Sequence, residues 1–276
     1  MISTMKHGIT IGGLIFVISL NVISCGSKSK SDVNVPTEYC EELVKLAEDG
    51  NADAQYNLGY LYMKGQGVEQ NEKECFRWFK QASENGMPKA QFYLGYMYIN
   101  GIMGVSQNIQ EGIKWYEKAA AQGIEDAQYN LGEIYDNGVF VKRDIQKAVS
   151  LYKKAVEKDF PPAQSNLGAC YLNGDGVVKD VQEGVRLIRL SAETGLPQGM
   201  YNYGMCFLKG YGVEENQDEA IKWITKSAEN GYDVAQCFMG DLCYRNGYYE
   251  DAINWLTKSA QQGNQMAKQK LSMIKR

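Results

Sequence analysis

The seven residues Asp53–Gly59, DAQYNLG, recur letter for letter as Asp126–Gly132. An identity of this length within one chain indicates an internal repeat, so the period has to be established first. Equivalent glycines follow one another at steps of 36, 37, 36, 36 and 36 residues: Gly59, Gly95, Gly132, Gly168, Gly204 and Gly240. The chain of 276 residues is therefore predicted to be an array of six units without a central globular core.

Each unit is predicted to contain a helix A and a helix B on either side of a glycine loop. In helix A, Ala54, Leu58 and Tyr62 are spaced by four and share one face. Gly65 provides the left-handed residue that ends this helix, and Asn71 caps helix B with Glu74 in a capping-box arrangement. The same arrangement recurs at Asn108/Glu111, Asp180/Glu183 and Asn216/Glu219, whereas Asp144 keeps the cap and Lys147 breaks the box.

Helix B carries all four tryptophans of the chain at one position, eight residues before a closing glycine. They are Trp78, Trp115, Trp223 and Trp255. Because they share a periodic position, we expect them to be core residues rather than a stacking surface for a sugar or a base.

Together these positions give the pattern A-x-x-x-L-G-x-x-Y-x-x-G-x-G-V-x-x-[DN]-x-x-x-[AG]-x-x-[WL], closing with A-x-x-G. The pattern resembles the Sel-one-like repeat, a branch of the tetratricopeptide-like helical solenoids. The resemblance implies an all-α fold over residues 38–276, a right-handed α-solenoid of about six Sel-one-like helix-turn-helix repeats with half-repeat caps. The repeats lie near residues 51–86, 87–123, 124–159, 160–195, 196–231 and 232–263. Tyr39–Gly50 is predicted to be a lone helix B, and Ala267–Leu271 part of a lone helix A.

The N-terminus has the features of a secretory signal in residues 1–24. Lys6 precedes the apolar stretch Ile9–Leu20, and Val22 and Ser24 lie three residues and one residue before Cys25. This ending resembles the bacterial lipobox, which implies that Cys25 is lipidated and that residues 25–37 form a flexible tether to a membrane. A plain secretory signal with a chance cysteine is the alternative. The absence of aspartate after the cysteine favours the outer membrane over the inner membrane of a bacterial cell envelope, by analogy with a known sorting rule.

Composition argues against several functional classes. A net charge of −4 does not fit nucleic-acid binding, and the only histidine, His7, lies in the signal segment. We therefore predict no catalytic site, no metal site and no cofactor, since histidine-dependent triads, C-x-x-C pairs and phosphate-binding loops are missing. Ser150–Lys153 and Ser272–Lys275 match S-x-x-K, but S-D-N and K-T-G are absent. A cell-wall enzyme of penicillin-binding type and a passive structural spacer remain alternatives.

The even number of cysteines after Cys25 leaves disulfides open in an exported protein: Cys40, Cys75, Cys170, Cys206, Cys237 and Cys243. Cys170 and Cys206 occupy the same position in successive repeats. Equivalent residues on packed helices lie about 8–10 Å apart, beyond the limit of about 7 Å for a bridge. We therefore expect mostly free, buried thiols.

By resemblance to tetratricopeptide domains, the exposed partner-binding positions lie three and two residues before the core glycine and one residue after it. The predicted residues are Tyr56, Asn57, Tyr60, Phe92, Tyr93, Tyr96, Tyr129, Asn130, Glu133, Asn166, Tyr201 and Asn202, with Ser165, Ala169 and Met205 at equivalent positions. Asparagine both donates and accepts hydrogen bonds, and tyrosine offers a rigid area with a polar tip. We expect a monomeric scaffold or receptor that binds a protein or an extended peptide through the concave face. The alternative is that the tyrosines pack against the neighbouring repeat.

Overall fold

The computed structural model of the chain describes residues 36–274. Cys25, the predicted signal peptide and most of the predicted tether lie outside this range. The described residues contain fourteen helices and no strand. The helices are α1 (Glu41–Glu48), α2 (Ala52–Lys64), α3 (Glu72–Glu84), α4 (Pro88–Asn100), α5 (Ile109–Ala121), α6 (Glu125–Asn137), α7 (Ile145–Val156), α8 (Pro161–Asn173), α9 (Val181–Glu193), α10 (Pro197–Lys209), α11 (Gln217–Glu229), α12 (Asp233–Arg245), α13 (Tyr249–Gln261) and α14 (Gln265–Ile274).

The even-numbered helices are the A helices and the odd-numbered ones are the B helices. Of the described residues, 36–179 form one compact unit and those from Asp180 onwards form another. Within each unit every helix packs on the next one along the chain, as in an α-solenoid. The lone helix B and the lone helix A predicted for the ends are α1 and α14. Within residues 36–274 no helix is both long and apolar enough to cross a membrane.

The first five A helices end as the sequence predicts. Gly65 follows α2 with φ of +65°, and Gly101, Gly138, Gly174 and Gly210 take the same left-handed conformation. The sixth, α12, ends differently, because Asn246 stands at this position with φ of −93°. This repeat is the one that lacks the G-x-G-V loop in the sequence.

The B-helix caps are present, but the capping box is only half formed. Asn71 accepts from the backbone N–H of Glu74 at 3.1 Å, and the equivalent asparagines and aspartates do the same. The reciprocal bond is missing because the N–H of Asn71 already donates to the carbonyl of Tyr62. The Glu74 carboxylate turns instead to Arg77, at 2.8 Å. The prediction of a cap was correct, whereas the prediction of a reciprocal box was wrong.

The core of each repeat is built where a B-helix side chain meets the A-helix glycine. A Cβ added to Gly132 would lie 2.6 Å from Cε1 of Tyr152, so only glycine allows this contact. Phe79 and Tyr116 occupy the same position opposite Gly59 and Gly95, and all three aromatic residues are at most 1% exposed. Tight interior packing of this kind tolerates no added methyl group without strain.

The tryptophans are less buried than the residue that follows them. Trp78 is 2% exposed, but Trp115, Trp223 and Trp255 are only half-buried. Lys118 lies over the ring of Trp115, 3.7 Å from its centroid. The prediction that all four are core residues therefore holds fully for Trp78 alone.

A periodic hydrogen-bond motif, which we call the amide clasp, joins successive repeats. The side-chain N–H of Gln122, at the end of α5, donates to Oε1 of Gln91 at 2.8 Å and to the carbonyl of Gly86 at 3.2 Å. Gln91 in turn donates to the carbonyl of Ser83. Equivalent clasps form at Asn85 with Gln55 and at Gln262 with Gln236.

The third repeat has an incomplete clasp. Lys158 replaces the amide and donates to the carbonyl of Gly123, but Oε1 of Gln128 is buried without a hydrogen-bond partner. The next residue, Asp159, stands where the other repeats close with glycine and adopts φ of +55°. Left-handed backbone is unfavourable for a residue with a side chain. This turn therefore has two unfavourable features, the unpartnered Oε1 of Gln128 and the backbone conformation of Asp159.

Candidate partner-binding site

The predicted binding positions lie on five A helices. Ten of them belong to α2, α4, α6 and α8 in the unit that ends at Lys179, and we call this set the A-helix ladder. Its members are Tyr56, Asn57, Tyr60, Phe92, Tyr93, Tyr96, Tyr129, Asn130, Glu133 and Asn166, and the equivalent Ser165 and Ala169 of α8 are counted with them. The first and third positions on a helix are four residues apart and lie one above the other, and the second lies three residues before the third, on the adjoining strip of the same side.

The aromatic members of the ladder pack against one another between repeats. The ring of Tyr56 lies 5.6 Å from that of Phe79 and 6.0 Å from that of Tyr93 in the next repeat. Tyr93 stacks on Phe79 at 5.1 Å, and Phe92 stacks on Tyr116 at 5.5 Å. Burial, together with the neighbouring Tyr93, raises the pKa of Tyr56. These tyrosines therefore contribute to the packing of the array, which is the alternative interpretation of the sequence.

The asparagines of the ladder are also engaged within the chain. The amide of Asn57 donates to the carbonyl of Pro36 at 3.0 Å and so holds the segment that leads into α1. The amide of Asn166 donates to Glu133 at 3.0 Å and lies 3.4 Å from the hydroxyl of Tyr152. Successive A helices are thus joined by polar side chains as well as by rings.

Exposure varies along the ladder. Tyr129 and Asn130 are each 7% exposed, so the expectation that they are exposed was wrong. The ring of Tyr129 lies 6.1 Å from that of Tyr152 and 5.6 Å from that of Phe160, and Asn130 lies beside the hydroxyl of Tyr116. Tyr60, Tyr96 and the equivalent Ala169 are half-buried and offer more surface. The assignment of these positions to partner binding stays a prediction.

Two tyrosines that the sequence analysis did not select reach this region from the B helices. Tyr116 and Tyr152 fill the glycine gaps, and burial raises the pKa of both. The Tyr116 hydroxyl is fully buried, and a hydrogen bond with Asn130 opposes the rise in its pKa. The sequence could have indicated these two residues, because the position after the tryptophan position is tyrosine only in the second and third repeats.

Two carboxylates on α6 are partly withdrawn from water. Burial raises the pKa of Asp126 to about 6, with Glu125 adding to the rise and Lys89 opposing it. Burial also raises the pKa of Glu133, against the hydrogen bonds that its carboxylate accepts from Asn166 and Tyr129. Glu133 was predicted as a site residue, whereas Asp126 was not, because it lies outside the three positions taken from the resemblance.

The two remaining predicted residues lie in the unit that starts at Asp180. The ring of Tyr201 lies 5.7 Å from that of Tyr232 and 6.3 Å from that of Phe238, and burial raises the pKa of Tyr201 to about 12. Asn202 is half-buried. Lys270 of α14 bonds to Asp241 of α12 at positions equivalent to Asn166 and Glu133. A link between successive A helices at these two positions therefore occurs in both units.

The other candidate chemistry gains no geometric support. Ser150 is exposed on α7, and the ammonium group of Lys153 lies 5.8 Å from the ring centroid of Tyr171. The six cysteines after Cys25 are free thiols, four of them buried. Burial raises the pKa of Cys75, Cys170 and Cys206 to about 12, the opposite of what a thiolate nucleophile needs. Within residues 36–274 no group of three or more acidic or sulfur ligands is arranged to hold a metal ion.

Comparison with known proteins identifies the repeats. The family model described as Sel1 repeat matches residues 52–87, 88–124, 125–160, 161–196, 197–232 and 233–264. Each match begins one residue after the corresponding boundary drawn from the sequence. Comparison with curated protein sequences finds no match.

Solved structures show the same fold. A Sel1 repeat protein from Oxalobacter formigenes is 32% identical, with a TM-score of 0.71 over 79% of this chain and 90% of that one. A protective antigen present in uropathogenic Escherichia coli strains, which displays an SLR fold, is 33% identical with a TM-score of 0.67. The match covers 87% of this chain and 52% of the antigen. A Sel1 repeat protein from Klebsiella pneumoniae is 21% identical with a TM-score of 0.51, over 72% of this chain and 98% of that one.

Proposed function

The chain belongs to the Sel1 repeat family, and we propose that it is a lipid-anchored scaffold or receptor of the bacterial cell envelope that binds another protein through its A-helix ladder. The observation that carries this proposal is the set of six Sel1 repeats, because proteins built from them generally mediate protein–protein interactions. Fold alone does not name a partner, so the surface has to be tested residue by residue.

The chemistry of the ladder supports this role. Four consecutive A helices present rings, amides and a carboxylate on one side, and the contacts between repeats hold these groups in place. A rigid surface loses little conformational entropy when a partner docks. Tyr60, Tyr96 and Ala169 are half-buried and occupy equivalent positions on three different A helices.

The membrane anchor rests on the sequence around Cys25. We expect cells supplied with radiolabelled palmitate to incorporate label into the wild-type chain and not into Cys25→Ala. Equal labelling of the two proteins would remove the anchor from the proposal. Separating the inner and outer membranes of the same cells tests the preference for the outer membrane.

Partner binding is tested by crosslinking the tagged, lipidated protein in its native cells. We expect the pair Tyr60→Arg and Ala169→Arg to abolish a capture that the wild type makes. The matched control adds the same charges at Gln110→Arg and Gln146→Arg, which are exposed positions on B helices. Loss of capture in both double variants, or in neither, would contradict binding through the ladder.

A further inference from the structure

The exposed apolar side chains of residues 36–179 lie at one edge of this unit. Because A and B helices run in opposite directions, the loops that follow α2, α4, α6 and α8 share an edge with residues 36–40, which lead into α1. We call this the loop edge. The large apolar residues that are exposed in the unit all belong to it: Tyr39, Val139, Phe140 and Val178. Val178 is 89% exposed and Val139 is 57% exposed, so neither contributes to the core.

Contacts between successive repeats bring the segments of the loop edge together. A Cβ added to Gly67, in the loop after α2, would lie 3.2 Å from Cβ of Tyr39. A Cβ added to Gly176, in the loop after α8, would lie 3.0 Å from the carbonyl oxygen of Ile145, the first residue of α7. These loops therefore pack beside the start of the preceding B helix.

The opposite edge of the same unit, which we call the turn edge, is strongly acidic. It contains the turns between each B helix and the next A helix, at residues 48–53, 84–89, 121–126 and 157–162. These residues include eight carboxylates and two lysines. The loop edge is balanced, with four basic and four acidic side chains in residues 36–40, 64–71, 100–108, 137–144 and 173–179. An anionic surface would therefore repel the turn edge more strongly than the loop edge.

The chain enters the array from the predicted lipid anchor at the loop edge. Helix α1 begins at Glu41, and the backbone before it passes Gly67 at Tyr39. Cys25 and Tyr39 are fourteen residues apart, which an extended chain spans in at most about 50 Å. The turn edge lies one helix length further on, about 20 Å for thirteen residues. A lipid on Cys25 would thus hold the loop edge at a high effective concentration near the leaflet.

We propose that the loop edge of residues 36–179 docks onto the phospholipid surface in which Cys25 is anchored. This proposal rests on the lipid anchor of the proposed function and adds a second membrane contact to it. Val139, Phe140 and Val178 enter the headgroup region, where apolar and aromatic side chains are favourable. Lys142 and Lys179, both exposed beside these residues, contact lipid phosphates. The A-helix ladder runs between the two edges, so it stays open to a protein partner.

The test uses the lipidated protein reconstituted into vesicles of phosphatidylethanolamine and phosphatidylglycerol. Phe140→Trp places a fluorescent probe at the loop edge, and Glu157→Trp places a matched probe at an exposed position of the turn edge. Subtracting the emission of the wild type removes the contribution of the four native tryptophans. We expect phospholipids with dibrominated acyl chains to quench the Phe140→Trp probe at least about twofold more than the Glu157→Trp probe. Equal quenching of the two probes would overturn the proposal.

Charges introduced into the loop edge should weaken the docking. Val139→Asp with Val178→Asp, added to the Phe140→Trp protein, changes two exposed positions and should reduce quenching of the probe at least about twofold. The matched control, Ala121→Asp with Ser150→Asp, adds the same charge at exposed positions of B helices and should leave the quenching unchanged. Circular dichroism checks that both proteins stay folded. Equal quenching in the two proteins would contradict docking through the loop edge.

Flotation of the vesicles distinguishes failure of this proposal from failure of the proposed function. If wild-type protein floats with the vesicles and the two probes are quenched equally, the anchor stands and the loop edge does not dock. If wild-type protein stays at the bottom of the density gradient, the anchor is removed from the proposed function, and docking of the loop edge is overturned with it.

Discussion

The incomplete amide clasp of the third repeat is open to direct repair. The double substitution Lys158→Gln with Asp159→Gly restores the residues that close the second repeat, Gln122 and Gly123. A glutamine at position 158 can reach the carbonyl of Gly123, as Lys158 does, and can also donate to the buried Oε1 of Gln128. The glycine removes a side chain from a backbone with φ of +55°.

The expected gain follows from these two contacts. Satisfying a buried acceptor contributes about 1 kcal/mol, and relieving a left-handed non-glycine residue contributes up to about 1 kcal/mol, part of which is offset by the greater freedom of glycine in the unfolded chain. The exposed ion pair between Lys158 and Glu125 is lost, which costs at most about 0.5 kcal/mol. We therefore expect the free energy of unfolding to rise by about 0.5–1.5 kcal/mol.

The measurement is urea unfolding followed by circular dichroism, with the slope of the transition compared between variants. Repeat arrays depart from two-state behaviour, so the reverse substitution provides the internal reference. Gln122→Lys with Gly123→Asp places the residues of the third repeat, lysine and aspartate, in the second. This double variant should have a free energy of unfolding that is lower by a similar amount. If the repair leaves stability unchanged and the reverse substitution is harmless, the clasp does not stabilise the array.

Two further outcomes are expected from the same region. Gly132→Ala should lower the free energy of unfolding in urea by about 1–2 kcal/mol, because the new Cβ meets Tyr152 at 2.6 Å and overpacking outweighs the gain in helix propensity. Gly59→Ala should cost less, since its nearest contact, to Phe79, is at 3.2 Å. The reverse order of the two variants would contradict the packing argument. Asp126→Asn should stabilise the chain by about 1 kcal/mol at pH 7 after allowance for partial exposure of the carboxyl. The pKa of this group is raised from 3.8 to about 6 by burial, so ionisation destabilises the folded state as pH rises through that window. The higher stability of Asp126→Asn over the wild type in thermal unfolding should therefore vanish below pH 4. A difference in stability that does not depend on pH would contradict this explanation by the Asp126 carboxyl.

Local features of the fold were predictable from the sequence because each depends on neighbouring residues. Gly65 ends a helix by its own backbone conformation, and Asn71 caps one through an N–H three residues away. The missing half of the capping box shows the limit of prediction from neighbouring residues. The N–H of Asn71 is taken by Tyr62, across a loop whose geometry the sequence does not state.

Features that depend on how closely repeats approach could not be predicted in this way. Gln122 meets Gln91 from 31 residues away, and no local pattern marks that contact. Burial of Tyr129 and Asn130 likewise follows from contacts with Tyr152, Phe160 and Tyr116, which the local pattern around α6 does not state. The resemblance to tetratricopeptide domains predicted one side of the A helices for partner binding, but it could not state how much of that side the array itself uses.

The glycine gaps bring the side chain of a core position into contact with the A-helix ladder. Phe79, Tyr116 and Tyr152 are equivalent buried residues, yet only the two tyrosines carry an oxygen, which bonds to Asn130 in the case of Tyr116 and accepts from Asn166 in the case of Tyr152. Exchange of phenylalanine and tyrosine at this position changes one atom and leaves the helix packing in place. An array of this design can therefore be retuned for a new ligand from within its interior, while every solvent-facing residue stays as it was.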